Sequence, residues 1–350
     1  MNKITIHGSS SYEVIIQQDI LSLAGELLSN KIGGEKALIV TDANVGGLYL
    51  NTLADSLREV GYEIVDIVLP AGELSKDVEN YIFLLEVLAK SEFSSSDIII
   101  ALGGGVIGDL AGFVASTYRR GTQFVQIPTT LLAAVDSSIG GKNAINLPTA
   151  KNQVGTIRNP SLVICDPAVM ATLSNNSKLD GYAEILKYGI LSGNEIINSL
   201  RQAIIYNDYS DVISHSIRIK KSIIEMDEND QSFRQYLNLG HLIGHAIEAY
   251  SDYHISHGIA VSYGLALETR ACAFAGYTSL RTYNAITDLL REFDFDIEEP
   301  YRFEDLIPYI MRDKRIRSGV IQILVPIDIG ECIMRPLKVI HLSEFIKLAF

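Results

Sequence analysis

DIIIALGGG (97–105) is an apolar run that stops at three glycines, and VIGDLAGFVAS (106–116) continues from it with the character of a helix. An unbroken apolar run of this length is typical of a parallel strand buried on both faces. The glycines allow a sharp strand-to-helix turn and expose backbone amides at the positive end of the helix dipole, where a phosphate can bind. The pattern is not GxGxxG, and a tight turn without a ligand would have the same sequence.

The same alternation of strand and helix precedes this stretch. KALIVTD (36–42) and EIVDIVLP (63–70) have the pattern of strands. LYLNTLADSLREVGY (48–62) and SKDVENYIFLLEVLAKSEF (75–93) have apolar residues at helical spacing, the latter behind a serine cap. Strands that alternate with helices predict a mostly parallel sheet with covering helices.

The second half of the chain has a different pattern. Segments 180–204, 210–230 and 236–250 are long, helix-periodic and poor in strands, although VIQILVPIDIG (320–330) is strand-like. The turn-forming stretch SNNSKLDG (174–181) is the expected boundary. We therefore predict an α/β domain over 1–173 and a mainly α-helical domain over 174–350.

Composition narrows the class of protein. The chain has 350 residues, 47% of them hydrophobic, and a formal net charge of −13, which argues against nucleic acid or an anionic membrane as a partner. Cys165, Cys272 and Cys332 are far apart and match no zinc spacing, which suggests a reducing compartment. The N-terminus lacks the apolar core of a signal peptide, so we expect a cytoplasmic protein.

A polar, glycine-rich segment follows the strand-and-helix pattern. QIPTTLLAAVDSSIGGKNAINLPTAKNQVG (126–155) places several polar side chains beside apolar strands. Such a loop is more often a site than a spacer. Lys142 and Lys151 near the glycines suit an anionic ligand, although two solvated lysines would give the same pattern.

Histidines in the second half suggest a metal site. In NLGHLIGHAIE, His241 and His245 lie four residues apart, on one face of a helix. Glu184 lies in an apolar helical segment, where an unpaired carboxylate is costly to bury. Two histidines and one carboxylate make a catalytic-zinc ligand set. Spacing does not determine which of the histidines bind: His241, His245, His254 and His257.

Several ordered motifs together resemble the 3-dehydroquinate synthase family of sugar-phosphate cyclases. The matching motifs are GGGVIGDLAGF, QIPTTLLAAVDSSIGGK followed by Asn, AEILKYG, RxxxNLGHxxGHAIE and HG. The resemblance runs from TDANV (41–45) to about MRDKR (311–315). It implies a Rossmann-like α/β domain that binds NAD, followed by a helical domain that binds metal and substrate.

The resemblance also implies individual roles. A divalent metal, zinc or cobalt, would be bound by Glu184, His241 and His257, which leaves His245 as an acid/base or phosphate contact; His254 has no counterpart. NAD would be bound by Asp42, Asn44, Glu73, Lys76, Gly103, Gly104, Gly105, Asp109, Thr129, Thr130 and Lys151.

The implied substrate is a phosphorylated seven-carbon keto acid. Its carboxylate and hydroxyl end would face Lys142, Lys220, Arg234 and Asn238, with Asp136 near the nicotinamide. Its phosphate would face Arg120, Asn152, Lys187, His245 and Lys314. The residues given catalytic roles are His245, Asp136, Lys187 and Asn152.

The implied reaction belongs to the shikimate pathway and has no net redox change. NAD takes a hydride from a carbinol, phosphate leaves by β-elimination, the hydride returns, and an intramolecular aldol step closes the ring. The resemblance also implies a homodimer in which Arg120 reaches the neighbouring subunit's phosphate site.

The chain departs from the family pattern at Asn143, Ala144, Ser177, Leu242, Ile259 and Arg315. None of these removes an implied metal ligand, but they bear on rate and substrate. The main alternative is a related cyclase of the 2-deoxy-scyllo-inosose or valiolone type, whose substrate lacks the carboxylate. A polyol dehydrogenase and a non-catalytic binding module are less compatible with the cluster of cations and the ligand set.

Overall fold

A computed structural model describes residues 1–148, 150–298 and 300–350. The chain forms two compact units. The first comprises residues 1–173 and 207–228, and the second comprises residues 174–206 and 229–350.

The first unit is built on a seven-stranded sheet in the order β1-β2-β9-β6-β5-β3-β4. Only the β1–β2 pair is antiparallel; every other pair in the sheet is parallel. A separate antiparallel hairpin is formed by β7 and β8. The strands are β1 (Asn2–Ile6), β2 (Tyr12–Ile16), β3 (Lys36–Asp42), β4 (Glu63–Leu69), β5 (Ile98–Gly103), β6 (Gln123–Pro128), β7 (Lys142–Leu147), β8 (Ala150–Ile157) and β9 (Leu162–Cys165).

Helices cover both faces of this sheet, because successive side chains of each strand point to opposite faces. In β5, Ile98 and Ile100 belong to one apolar cluster, whereas Ile99 and Ala101 belong to another. The first cluster includes residues of α1 and α3, and the second includes residues of α4 and α5. The helices of this unit are α1 (Ala24–Lys31), the short α2 (Ala43–Val45), α3 (Asn51–Glu59), α4 (Val78–Lys90), α5 (Gly105–Thr117) and, later in the chain, α8 (Ser210–Ile224).

The second unit is mainly helical. Its core joins α9, α10, α12 and α13 to one face of the β10–β11 hairpin. None of the helices in the described ranges combines the length and apolar character needed to cross a membrane. The elements of this unit are α6 (Asn175–Ser192), α7 (Asn194–Tyr206), α9 (His241–Tyr250), α10 (His257–Phe274), α11 (Leu280–Glu292), α12 (Phe303–Ile310), α13 (Leu342–Lys347), β10 (Val320–Asp328) and β11 (Glu331–Lys338).

The structure confirms the predicted fold class, an α/β sheet unit followed by a mainly helical one. The predicted strands at 36–42, 63–70 and 97–105 correspond to β3, β4 and β5. SNNSKLDG (174–181), predicted as the domain boundary because it is rich in turn-forming residues, forms the beginning of α6, with Ser174 as its N-cap. Polar residues favour helix N-termini as well as turns, which explains the difference.

The segment 207–228 lies outside the simple two-part division expected from the sequence. It contains α8 and belongs to the first unit, although α7 before it and α9 after it belong to the second. Glu225 accepts a hydrogen bond from the backbone N–H of His7, and Glu228 accepts one from that of Ser9. These contacts help explain why a helix that is late in the sequence packs on the first unit.

Candidate functional site

The helix α9 presents two histidines and a carboxylate on one face. It begins after Gly240, whose positive φ of 76° suits a glycine. The carboxylate of Glu268 accepts hydrogen bonds from the backbone N–H groups of Gly240 and Ile243, at 3.1 and 2.9 Å. This carboxylate therefore caps the helix that begins with His241. Burial raises the pKa of Glu268 to about 7, although backbone N–H groups and Arg315 oppose the effect.

The start of α10 is fixed against α6. Asp180 on α6 accepts a hydrogen bond from the backbone N–H of Gly258 at 2.9 Å. A Cβ at Gly258 would lie 2.3 Å from Cα of Asp180, so only glycine permits this approach. Glu184 lies one turn after Asp180 on α6, and His257 immediately precedes Gly258. The HG pair therefore brings His257 beside Glu184.

Glu184, His241 and His257 converge in the second unit. Oε1 of Glu184 lies 3.5 Å from Nε2 of His241 and 3.5 Å from Nε2 of His257. The three ligand atoms lie within 4.8 Å of one another. Ligand atoms lie about 2.0–2.2 Å from zinc, so two of them in a tetrahedral site are about 3.3–3.6 Å apart. The donor set and its spacing therefore fit a divalent metal.

The second ring nitrogen of each of these histidines faces an oxygen atom. Nδ1 of His241 lies 3.0 Å from the backbone carbonyl oxygen of Leu239. Nδ1 of His257 lies 3.1 Å from Oε2 of Glu248. Burial and the nearby Lys187 lower the pKa of His241 to about 3. Burial also acts to lower the pKa of His257, but Glu248 and Glu184 outweigh it and raise the pKa to about 10.

His245 adjoins this group without belonging to the Glu184 set. Its ring centroid lies 5.2 Å from that of His241 and 6.1 Å from that of His257. Burial, His241 and Arg315 lower the pKa of His245 well below its usual value. The lowered pKa favours the neutral form of the His245 imidazole, in which one ring nitrogen donates and the other accepts hydrogen bonds. His254 is exposed, with Nδ1 2.8 Å from the carbonyl oxygen of Ser251.

The other predicted polar and cationic residues of the second unit differ in burial and in their contacts. Lys187 contacts the carboxylate of Glu184, and both side chains are buried. Arg234 is buried and Asn238 is half-buried, whereas Lys314 is exposed. Arg315 forms a two-pronged pair with Asp313 at 2.8 and 2.6 Å. The positive charge of Arg315 lowers the pKa of both His245 and Glu268. Arg315, one of the departures from the family pattern, therefore influences the histidine cluster.

In the first unit, the predicted NAD residues follow the carboxyl ends of adjacent parallel strands. The order in which strands are added to the sheet reverses at β3. The next strand, β4, lies on one side of β3, and the strand after it, β5, lies on the other side. Ligands of open α/β sheets bind at such a switch point. The residues concerned are Asp42 at the end of β3 and Asn44 just after it, Glu73 and Lys76 after β4, Gly103, Gly104, Gly105 and Asp109 around the start of α5, and Thr129 and Thr130 after β6.

The backbone at the end of β5 is closely packed. A Cβ at Gly104 would lie 3.0 Å from Cγ2 of Thr130, and one at Gly105 would lie 3.0 Å from Oγ of Ser137. Gly104 is the N-cap of α5 and has no side-chain cap hydrogen bond. Glycines here keep the amide end of the helix clear of side chains, as a cradle for a pyrophosphate requires.

Lys76 is the centre of a charged network beside these glycines. Only 3% of Lys76 is exposed, and its Nζ lies 2.9 Å from Oδ2 of Asp109 and 3.1 Å from Oε1 of Glu73. Burial acts to lower the pKa of Lys76, but the two carboxylates raise it overall. Burial raises the pKa of Asp109. Nζ of Lys151 lies 3.9 Å from Oε2 of Glu73.

Asn146 links two of the predicted site residues. Its side-chain amide donates to Oε1 of Glu73 at 2.8 Å, and its Oδ1 accepts from the backbone N–H of Asn152 at 2.9 Å. Asn152 has a positive φ of 54°, so this contact supports an unusual backbone conformation. Asn146 lies in the polar segment 126–155, but no motif in that segment indicates a role for it.

The predicted substrate-binding residues of the first unit differ in burial and in their contacts. Lys220 donates to the carboxylate of Asp136 at 2.8 Å and to its backbone carbonyl oxygen at 2.6 Å. Lys142 and Arg120 are exposed, and Arg120 has a positive φ of 63°. Thr149, which belongs to the polar segment 126–155, lies outside the described residues.

Two family models match consecutive parts of the chain. The model described as 3-dehydroquinate synthase N-terminal matches residues 66–180, and the one described as 3-dehydroquinate synthase C-terminal matches residues 181–316. The chain belongs to the 3-dehydroquinate synthase family. This membership confirms the resemblance inferred from the motifs.

Named relatives in the 3-dehydroquinate synthase family align over nearly the full chain. A 3-dehydroquinate synthase of Streptococcus suis is 36% identical, with 99% of this chain and 100% of the relative covered. One of Caldanaerobacter subterraneus subsp. tengcongensis is 38% identical, with 92% of each covered.

Solved structures of other cyclases share the fold. The 2-epi-5-epi-valiolone synthase of Streptomyces hygroscopicus, with NAD+ and Zn2+ bound, has a TM-score of 0.88 and 25% identity, with coverage of 99% of this chain and 97% of that one. A 2-deoxy-scyllo-inosose synthase complexed with carbaglucose-6-phosphate, NAD+ and Co2+ has a TM-score of 0.87, 20% identity and 99% coverage of both chains. The higher identity to 3-dehydroquinate synthases favours that function over the alternative cyclases.

The family departures have structural explanations at several positions. Leu242 and Ile259 both join the apolar cluster of the second unit. The Asn143 side chain donates to the carbonyl oxygens of Gly141 and Arg158 at 2.8 and 3.0 Å. Ser177 lies in the first turn of α6, where its N–H donates to Ser174. Nothing in the structure explains Ala144.

Proposed function

We propose that the protein is a 3-dehydroquinate synthase, a carbon–oxygen lyase that depends on NAD and a divalent metal. It converts 3-deoxy-D-arabino-heptulosonate 7-phosphate to 3-dehydroquinate and phosphate. The observation that carries the proposal is that Nε2 of His241 and Nε2 of His257 each lie 3.5 Å from Oε1 of Glu184, in a chain of this family.

The second unit supplies the metal ligands in this proposal. Zinc or cobalt bound by Glu184, His241 and His257 would polarise a substrate hydroxyl and make its oxidation easier. Solved cyclases named with Zn2+ or Co2+ support this choice of metal. His245, whose ring centroid lies 5.2 Å from that of the proposed ligand His241, is proposed as the group that accepts or donates a proton in the reaction.

The first unit binds NAD in this proposal. The residues are those at the carboxyl edge of the sheet, from Asp42 to Thr130, with Lys151. NAD would supply a hydride acceptor that returns the same hydride later in the reaction. The glycine-lined start of α5 suits its pyrophosphate, and both cyclases cited above are named with NAD+.

Cationic and polar side chains bind the carboxylate end and the phosphate end of the substrate in this proposal. Arg234, Lys142, Lys220 and Asn238 are proposed to bind its carboxylate and hydroxyl end, because charge-assisted hydrogen bonds suit a carboxylate. The proposed phosphate contacts offset the charge of the departing phosphate. They are Arg120, Asn152, Lys187, His245 and Lys314. Asp136 is proposed to lie near the nicotinamide, with Lys220 fixing its carboxylate.

The setting of the enzyme is also proposed. We place it in the cytoplasm as a homodimer, with no nucleic-acid or membrane partner. The net charge of −13 argues against nucleic acid or an anionic membrane surface as a partner.

The test supplies the purified protein with the keto-acid phosphate, catalytic NAD and zinc. We expect one phosphate and one 3-dehydroquinate per substrate, with many turnovers per NAD and no accumulation of NADH. Stoichiometric NADH would indicate a dehydrogenase. Turnover of glucose 6-phosphate would indicate a 2-deoxy-scyllo-inosose-type cyclase. The variant Arg234→Ala should lose most activity on the acid substrate.

A further inference from the structure

Glu248 is a buried carboxylate. Neither the family resemblance nor the proposed reaction assigns it a role. It lies on α9, seven residues after His241 and three after His245, so all three face the same side of the helix. Only 3% of Glu248 is exposed. Burying a carboxylate is costly unless a charged or hydrogen-bonding partner compensates.

His257 is a partner of Glu248. Oε2 of Glu248 lies 3.1 Å from Nδ1 of His257, while Nε2 of the same ring lies 3.5 Å from Oε1 of Glu184. The imidazole ring is therefore held between two carboxylates, one at each nitrogen. An ionised carboxylate only accepts hydrogen bonds, so Nδ1 must carry the proton that faces Glu248.

We propose that Glu248 is a positioning residue for the metal centre, which holds the His257 ring with Nδ1 protonated and Nε2 directed toward Glu184 and His241. The inference rests on the proposed function, since it requires a metal at that centre. A neutral imidazole with its proton on Nδ1 has its lone pair on Nε2, the atom that faces Glu184. A carboxylate acceptor also makes the ligating nitrogen more basic.

The arrangement at His241 supports this assignment. Its Nδ1 faces the carbonyl oxygen of Leu239 at 3.0 Å, and its Nε2 faces Glu184. Both histidines thus have an oxygen acceptor at Nδ1 and the same carboxylate oxygen near Nε2. The two acceptors differ in charge, because Leu239 offers a neutral carbonyl and Glu248 offers a carboxylate.

An alternative role for Glu248 is direct metal ligation. Single ligand atoms of His245, Glu248 and His257 also lie within 4.8 Å of one another. A second ion there, together with the first, would require His257 to lose both ring protons and bridge two metals. If Glu248 instead accepts a hydrogen bond from Nδ1 of His257, the ring keeps one proton and binds a single metal. We therefore favour the positioning role of Glu248 over direct ligation.

The experiment measures metal binding by the full-length, metal-free protein. Co2+ is titrated in competition with a chelator, and affinity, stoichiometry and the cobalt absorption spectrum are recorded for wild type and Glu248→Gln. The glutamine keeps the size and an acceptor oxygen but lacks the charge. We expect one ion per chain and an affinity about 10- to 100-fold lower in the variant, with an altered spectrum. Glu248→Asp, which keeps the charge, should recover part of the affinity.

Ile247→Val is the matched control, because it removes one methyl group from a fully buried side chain on the same helix and changes no residue that faces a histidine ring nitrogen. Its cobalt affinity should equal that of wild type. Unchanged affinity in Glu248→Gln would overturn the proposal and leave the synthase function standing. Two ions in wild type, with one lost in Glu248→Gln, would make Glu248 a ligand and also overturn it. If wild type bound no cobalt, the proposed metal centre itself would fail.

A measurement on wild type serves if the variants do not fold. Histidine labelled with 15N reports which ring nitrogen carries the proton. In the zinc-loaded protein, we expect His257, assigned through correlations of its ring to its own backbone, to have a protonated Nδ1 and a zinc-bound Nε2. A zinc-bound or deprotonated Nδ1 would contradict the inference.

Discussion

Lys220 donates to both the carboxylate and the backbone carbonyl oxygen of Asp136, at 2.8 and 2.6 Å. Lys220 is 4% exposed, and it lies on α8, the helix that returns to the first unit after the chain has begun the second. The pair therefore fixes α8 against the polar segment that follows β6. Removal of one charge from a buried pair leaves the other uncompensated.

We expect Lys220→Met to destabilise the protein by about 2 kcal/mol, less than for a fully buried pair because Asp136 is partly exposed. Urea unfolding followed by circular dichroism measures the change. Lys221→Met is the control, since Lys221 makes a long, partly exposed pair with Glu225 at 3.7 Å, and its loss should change stability by less than about 0.5 kcal/mol. Equal midpoints for the two variants would show that the buried pair contributes nothing.

The proposed ligand set predicts different metal contents for three histidine variants. His241→Ala should lose the metal, because its Nε2 lies 3.5 Å from Oε1 of Glu184. His245→Ala should retain about one metal per chain and lose activity, since His245 lies outside the Glu184 group. Elemental analysis after dialysis measures the content, and the exposed His254→Ala serves as control. Metal loss in His245→Ala equal to that in His241→Ala would remove the distinction.

The buried cap of α9 predicts a pH-dependent stability. Burial raises the folded-state pKa of Glu268 from about 4.5 to about 7, so the folded protein binds more protons than the unfolded chain between these values. The contribution of Glu268 to stability therefore falls as pH rises from about 4.5 to about 7. In Glu268→Gln this dependence should disappear.

Urea unfolding of metal-free protein between pH 5 and pH 8 provides the test. The free energy of unfolding of wild type, relative to Glu268→Gln, should decline with pH by about 3 kcal/mol at most. Glu292→Gln is the control, because Arg201 lowers the pKa of Glu292 and keeps it ionised throughout that range. A constant difference between wild type and Glu268→Gln would place the pKa of Glu268 near its ordinary value.

The proposed homodimer predicts complementation between inactive variants. Arg120→Ala and Glu184→Ala subunits should each be inactive alone. If Arg120 serves the neighbouring subunit, a mixed dimer contains one complete site and activity should return after subunit exchange. Native mass spectrometry confirms exchange, and Arg119→Ala, which loses a hydrogen bond to the carbonyl oxygen of Phe93, is the neighbouring control. Exchange without activity would remove the shared site and leave the metal and NAD proposals unaffected.

The local sequence was sufficient for elements whose pattern is short-range. The apolar run before Gly103 predicted β5, and the alternation around it predicted a parallel sheet, because strand burial and helix amphipathicity repeat within a few residues. The His241–His245 spacing likewise placed both rings on one face of α9. The start of α6 was not predictable from local sequence, because the polar residues at 174–181 favour both turns and helix N-termini.

The sequence by itself therefore determined the α/β order, the helical second half and the candidate histidines, while the family resemblance supplied the choice among them. Only the tertiary structure decided that α8 packs on the first unit, and that Glu248 faces His257 while Glu268 caps α9. Gly240 and Glu268 are 28 residues apart, and Asp180 and Gly258 are 78 apart. Such pairings depend on how helices pack, and no periodicity along the chain encodes them.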